Sequence, residues 1–253
     1  MTLLQAVNVT MDFGGVRAVD RLHVDVDQGE ILGIIGPNGS GKTTFFNVLT
    51  GIYRPTNGTL VYDGEDITAW PPHRISEQGI SRTFQNIRLF RDMSVLDNVL
   101  VGGHCHVDAT LWDVLISTPR KRRAESRARE AAYELLTFVD LEDKADQFAA
   151  NLAYGEQRRL EIARALAAKP RLLLLDEPTA GMVDNEAADI MELIDRIRQM
   201  DVTVMLIEHN MKVMMGTAER IVALDAGRWI AEGGPRGIQR DPRVIEAYLG
   251  EED

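Results

Sequence analysis

The octapeptide Gly36-Pro37-Asn38-Gly39-Ser40-Gly41-Lys42-Thr43 constrains this chain more than any other feature. It fits the pattern G-x-x-x-x-G-K-[ST]. It also sits where that pattern has physical meaning, after an apolar run at 31–35 and before a segment, 42–50, that reads as a helix closed by Gly51. Glycines remove the Cβ atoms that would keep backbone N–H groups from converging on an anion. A helix starting at the loop directs its positive end at the same point. A loop of this kind grips phosphate oxygens. Lys42 can reach the outer phosphates of a nucleotide, and the Thr43 hydroxyl can ligate Mg²⁺.

A second segment narrows the chemistry. Leu172-Leu173-Leu174-Leu175 has no polar alternation, as expected of a strand buried on both faces of a parallel sheet. It runs into Asp176-Glu177. An Asp at the end of a buried strand beside a phosphate loop can hold Mg²⁺ through water. Glu177, one residue on, can orient or deprotonate an attacking water. Alone, this would be an ordinary acidic strand end; the loop gives it meaning.

The remaining pattern alternates between strand and helix. Residues 3–9 and 22–26 read as strands, and Asn57-Gly58 and Asp63-Gly64 as hairpin turns bracketing another. From Asn86 the character becomes helical: Ser94 suits the N-cap of a helix over 95–101, and 120–139 is rich in Ala, Glu and Arg. A helix over 155–168 stops before Pro170. A helix at 186–200, a strand at 202–207 and a hairpin of 221–224 with 228–231 follow.

Composition excludes several classes. With 253 residues, 45% of them hydrophobic, the chain affords a substantial core. No apolar run approaches the ~18 residues of a membrane span, and the N-terminus lacks the basic start and apolar stretch of a signal peptide. A cytoplasmic protein that meets a membrane through a partner is expected. The net charge of −11 argues against nucleic acid as a partner. Arg120-Lys121-Arg122-Arg123, with Arg127 and Arg129, is a local exception, read as a solvated helix face or a contact for lipid head groups or a permease loop. The single cysteine, Cys105, cannot form an internal disulfide and reads as a buried thiol; the five histidines show no zinc spacing.

Leu152-Ala153-Tyr154-Gly155-Glu156-Gln157-Arg158-Arg159, followed by Asp176-Glu177-Pro178-Thr179, resembles the ATP-binding cassette (ABC) ATPases, whose signature of Leu-Ser-Gly-Gly-Gln type precedes the second acidic motif. The resemblance covers essentially the whole chain. It implies an α/β fold: a P-loop ATPase core with a mixed sheet, an N-terminal antiparallel β region and an inserted α-helical subdomain. One domain over 1–253 is expected, with 1–85 and 160–253 as core and 86–159 as helical subdomain.

The same resemblance implies the site. Phe13 would stack on adenine, and Gly36, Pro37, Asn38, Gly39, Ser40, Gly41, Lys42, Thr43 and Thr44 would grip the phosphates. Gln85, in Thr83-Phe84-Gln85, matches the Mg²⁺-sensing glutamine. His209, in Ile207-Glu208-His209-Asn210, matches the histidine that contacts the γ-phosphate. Glu177, His209 and Lys42 would be catalytic, with Mg²⁺ held by Thr43, Gln85 and Asp176. Leu152, Ala153, Tyr154, Gly155 and Glu156 would cap the ATP of a second ABC ATPase subunit, identical or not, in a head-to-tail pair. The implied cofactors are ATP and Mg²⁺. The implied partners are transmembrane permease subunits and, indirectly, a substrate-binding protein, at the cytoplasmic face of a membrane.

The Tyr-Gly form of the signature, the extended stretch 102–123 and the tail 233–250 resemble the subgroup serving branched-chain amino acid uptake. Other cargoes (urea or amides, lipid, lipopolysaccharide) and a non-transport ABC ATPase are the alternatives. Three positions depart from the family pattern: Ala153 replaces its Ser, Tyr154 its first Gly, and Val183 a polar residue.

Overall fold

The computed structural model describes residues 1–103 and 119–249, without the side chains of 119–122. Cys105, the side chains of Arg120, Lys121 and Arg122, most of the 102–123 stretch and Gly250 lie outside the described residues. The chain divides into two compact units, Met1–Gln85 with Arg171–Asp253, and Asn86–Pro170.

The first unit begins with β1 (Thr2–Phe13), β2 (Val16–Asp27) and β3 (Ile31–Ile35), followed by α1 (Lys42–Leu49). Then come β4 (Asn57–Tyr62), β5 (Glu65–Asp66), α2 (Pro72–Glu77) and β6 (Ile80–Arg82). β1 and β2 outrun the expected 3–9 and 22–26, because each continues past its apolar core into the hairpin pairing Phe13↔Val16. Asp63-Gly64 forms the expected turn between β4 and β5, with φ of 50° and 83°. Asn57-Gly58 does not turn the chain; it opens β4. A Cβ on Gly58 would lie 2.5 Å from the Asn8 carbonyl oxygen, opposite the register shift between Val7 and Thr10, so this glycine serves a close approach of backbones.

The second unit holds α3 (Val95–Gly102), α4 (Pro119–Phe138) and α5 (Tyr154–Ala167). Ser94 caps α3 as expected, its Oγ accepting from the Asp97 N–H at 3.0 Å. Val95, Leu96, Val99, Leu136, Leu160 and Ala163 supply buried apolar side chains. α3 and α5 approach so closely that a Cβ on Gly102 would stand 2.1 Å from the Arg164 carbonyl oxygen. All of α5 belongs to this unit, so the boundary falls after Pro170 rather than after residue 159.

The chain then returns to the first unit with β7 (Leu172–Asp176), α6 (Asp184–Arg198), β8 (Thr203–Ile207), α7 (Met211–Thr217), β9 (Arg220–Asp225), β10 (Arg228–Gly233), α8 (Pro235–Ile238) and α9 (Pro242–Leu249). A four-stranded antiparallel sheet has the order β2-β1-β4-β5. A six-stranded mixed sheet has the order β10-β9-β3-β8-β7-β6, parallel except for β10. Every residue of β3, β7 and β8 is buried, which explains their unbroken apolar runs. Phe45 and Phe46 of α1 pack into the same core as Leu32, Ile34, Leu174 and Met205.

β3, β8 and β7 are neighbours and parallel, with Ile34 opposite Ile207 and Asp176 opposite Ile207. The octapeptide, Asp176-Glu177 and Glu208-His209 therefore leave the sheet at one edge, the carboxyl ends of the strands, where open α/β sheets bind ligands. Among the described residues no helix is long and apolar enough to cross a membrane.

Candidate active site

The loop after β3 owes its path to its glycines. Gly36 has φ 152°, and a Cβ there would lie 2.2 Å from the Leu224 carbonyl oxygen. Gly41 has φ 94° and would bring a Cβ to 2.3 Å from the Ala18 carbonyl oxygen. Gly41 is also the N-cap of α1, so no side-chain acceptor caps the first turn and its N–H groups are available to an anion. Lys42 is buried and curls over the loop, its Nζ donating to the carbonyl oxygens of Gly36 and Pro37, each at 2.7 Å, and to Ser40 Oγ at 3.3 Å. Asn38, Gly39 and Thr43 are exposed, and Thr44 is half-buried. A hydrogen bond from the Gly227 N–H to the Ser40 carbonyl oxygen, 3.2 Å, fastens the loop to the β9–β10 hairpin.

At the end of β7, Asp176 is buried and accepts from Arg82 Nη2 at 2.7 Å through Oδ2. Its other oxygen, Oδ1, is buried without a hydrogen-bond partner. Glu177 leaves the strand in the left-handed region, φ 49°, a conformation uncommon outside glycine and associated with functional sites. The Glu177 N–H is bonded to the Ile207 carbonyl oxygen at 2.9 Å. The half-buried Glu177 carboxylate is held from two sides: Gln85 Nε2 donates to Oε2 at 2.8 Å, and His209 Nε2 stands 2.9 Å from Oε1. Glu208 steadies this corner from below, its buried Oε1 accepting from both the N–H and the hydroxyl of Thr179, at 2.8 and 2.7 Å.

The structure thus brings together Gln85, Asp176, Glu177 and His209, on the sheet edge that also presents the 36–43 loop. Phe13, at the end of β1, exposes its ring and meets Tyr53 edge-on, with centroids 5.0 Å apart. Leu152, Ala153, Tyr154, Gly155 and Glu156 lie on the helical unit at the start of α5. There Leu152 is buried and Tyr154 exposed. Burial pushes the Glu156 carboxyl up, but bonds from Lys144 and from the Ala153 N–H, 3.1 Å, outweigh it and hold the group below its ordinary range.

Sequence reasoning missed Arg82, Asn47, Glu208 and Tyr248. Arg82 carried one signal, an arginine between the apolar Ile80 and the Thr83-Phe84-Gln85 motif.

The donors fit Mg²⁺. The Thr43 hydroxyl, the Gln85 carboxamide and Asp176 Oδ1 offer hard oxygen atoms, and Oδ1 is the buried acceptor a cation or its water would satisfy. Among the described residues no three His, Cys, Asp or Glu gather as a self-sufficient metal site.

The family described as ABC transporter matches residues 19–180, and the one described as branched-chain amino acid ATP-binding cassette transporter matches 230–253. The chain is 46% identical over 250 residues to the high-affinity branched-chain amino acid transport ATP-binding protein BraF of Pseudomonas aeruginosa, covering 98% of each chain. It is 44% identical over the same length, with the same coverage, to LivG of Escherichia coli strain K12, a protein with the same description. Among solved structures it resembles the ADP conformation of an ATP-binding cassette of an ABC transporter, with a TM-score of 0.87 and 32% identity over 99% of this chain and 100% of that one.

Proposed function

This chain belongs to the ABC transporter family, and on that premise we propose that it is the ATP-hydrolysing subunit of an importer for branched-chain amino acids or close relatives of them. The observation that carries the catalytic part is the Glu177 carboxylate held between Gln85 and His209 beside the phosphate loop. The cargo is supported by the names of the relatives and by the match of the C-terminal segment.

Phe13 stacks on the adenine, and the 36–44 loop grips the phosphates with backbone N–H groups at the start of α1. Lys42 exchanges the loop carbonyls it now bonds for β- and γ-phosphate oxygens. Glu177 accepts a hydrogen bond from water and aligns it with the γ-phosphorus. As the new O–P bond forms, the bond to the β–γ bridging oxygen breaks and the water's proton passes to the carboxylate. His209 steadies Glu177 and the transferred oxygens. Thr43, Gln85 and Asp176 are the residues that would hold Mg²⁺, which would supply neutralisation of phosphate charge. A loose phosphoryl transition state needs positioning and charge compensation, and this set provides both.

The segment 152–156 caps the ATP of a second ABC ATPase subunit in a head-to-tail pair. The pair works at the cytoplasmic face of a membrane, on permease subunits fed by a substrate-binding protein. Reconstitution with its membrane partners in proteoliposomes tests the assignment. ATP hydrolysis should rise with a binding protein loaded with leucine, isoleucine or valine. Stimulation only by a chemically unrelated cargo, or recovery of the chain with ribosomes or nucleic acid instead of a permease, would overturn it.

A further inference from the structure

Asp176 does not stand alone at the end of its strand. Arg82, the last residue of β6, donates from Nη2 to Asp176 Oδ2 and from Nη1 to Asn47 Oδ1 on α1, each at 2.7 Å. The Arg82 and Asp176 side chains are 4% and 2% exposed. The guanidinium carbon lies 5.4 Å from the Phe46 ring centre and 5.0 Å from that of Phe84. β6 runs parallel to β7, so Arg82 and Asp176, the last residues of the two strands, both lie at the carboxyl edge of the sheet. The guanidinium is therefore fixed at both ends of its fork and flanked by two rings.

A buried ion pair is a poor device for stability, because desolvation of two charges offsets most of their attraction. What this pair does instead is divide the carboxylate. Oδ2 is committed to Arg82, and Oδ1 is left as a buried acceptor without a partner. We infer that Arg82 is a positioning residue for ATP hydrolysis. By occupying Oδ2 it fixes the plane of the Asp176 carboxylate and presents Oδ1 to the Mg²⁺ shell. Through Asn47 it ties that carboxylate to the helix that starts at Lys42. This rests on the reading of Asp176 as the metal-side carboxylate. Lysine could not replace it, because a single ammonium has no rigid fork to hold Asn47 and Asp176 in one plane.

ATP affinity, measured by calorimetry on the full chain with Mg²⁺ and again with EDTA, gives a metal enhancement ratio. Arg82→Lys should leave the EDTA affinity within about twofold and lower the ratio by about tenfold or more, the scale of a lost charge-assisted bond. Asn47→Ala cuts the far arm of the fork but leaves the bond to Asp176, and should lower the ratio by a smaller factor. Asp176→Asn tests the underlying reading. If it keeps the full ratio, Asp176 is not the metal-side carboxylate and the inference falls with it. If it loses the ratio while Arg82→Lys and Asn47→Ala keep theirs, Arg82 is structural only. Should Arg82→Lys fail to fold, Asn47→Ala decides: a lowered ratio supports positioning, an unchanged one overturns it.

Discussion

The hydroxyl of Tyr248 accepts a hydrogen bond from the backbone N–H of Gly36 at 2.9 Å, joining helix α9 to the first residue of the phosphate loop. A cavity of about 780 Å³ lies beside this contact, lined by Pro37, Asn38 and Ser40 of the loop and by Trp229, Arg243 and Glu246 near the C-terminus. The C-terminal segment matched as a branched-chain feature is thus in touch with the loop. Tyr248→Phe removes the acceptor and keeps the ring. A bond to a backbone amide contributes about 0.5–1.5 kcal/mol, so ATP affinity should fall about 2–10-fold with little change in kcat. Titration with a fluorescent nucleotide, alongside steady-state turnover, separates the two quantities.

Two of the departures from the family pattern have one structural meaning. Ala153 and Val183 are the N-cap residues of α5 and α6. Neither side chain can accept a hydrogen bond, and each helix keeps only the returning half of a capping box. Glu156 Oε2 accepts from the Ala153 N–H at 3.1 Å, and Glu186 Oε2 from the Val183 N–H at 3.3 Å. Ala153→Ser restores the missing half and should raise stability by ~1 kcal/mol in urea unfolding. The same hydroxyl should let ATP-driven pairing occur at lower ATP concentration, measured by size-exclusion chromatography. Unchanged pairing would show that the backbone N–H groups near Gly155 are sufficient for capping.

Lys144 and Glu156 give the start of α5 a pH dependence. The Glu156 carboxyl lies below its ordinary value of 4.5, with burial raising it and the Lys144 and Ala153 bonds lowering it further. A group depressed in the folded state stabilises above its unfolded pKa, and that contribution is lost as pH falls through the folded pKa. The melting-temperature difference between the wild type and Glu156→Gln should therefore be constant above about pH 5 and shrink below about pH 4.5. A difference that persists to pH 3 would show that the carboxylate charge is not what the helix start uses.

Lys42 is held by two carbonyl oxygens of its own loop. Lys42→Ala removes a cation that would meet phosphate oxygens in a water-poor loop. ATP affinity should fall by about tenfold or more, the scale of a charge-assisted bond. Unaltered affinity in equilibrium dialysis would count against the loop as the phosphate site.

The sheet and the loop were legible because their signals are local. Ile31–Ile35 and the four leucines of β7 are apolar throughout, and the octapeptide joins a strand to a helix. β6 was not legible: Ile80-Ser81-Arg82 is too short to show a period, and its pairing with β7 is fixed by neighbours far along the chain. Asn57-Gly58 looked like a turn, yet Gly58 is there for close passage of Asn8. Gln85 and His209 could be placed by resemblance. That both converge on one carboxylate needed coordinates, as did Arg82, Asn47 and Tyr248, whose partners lie 94, 35 and 212 residues away.

The most direct measurement is single-turnover ATP hydrolysis by Glu177→Gln, paired with ATP binding by the same protein. Binding should be retained, hydrolysis should slow by about 10²–10⁴-fold, and the paired subunits should accumulate in an ATP-bound dimer. Hydrolysis at the wild-type rate, with ATP affinity intact, would contradict the placement of the attacking water on this carboxylate.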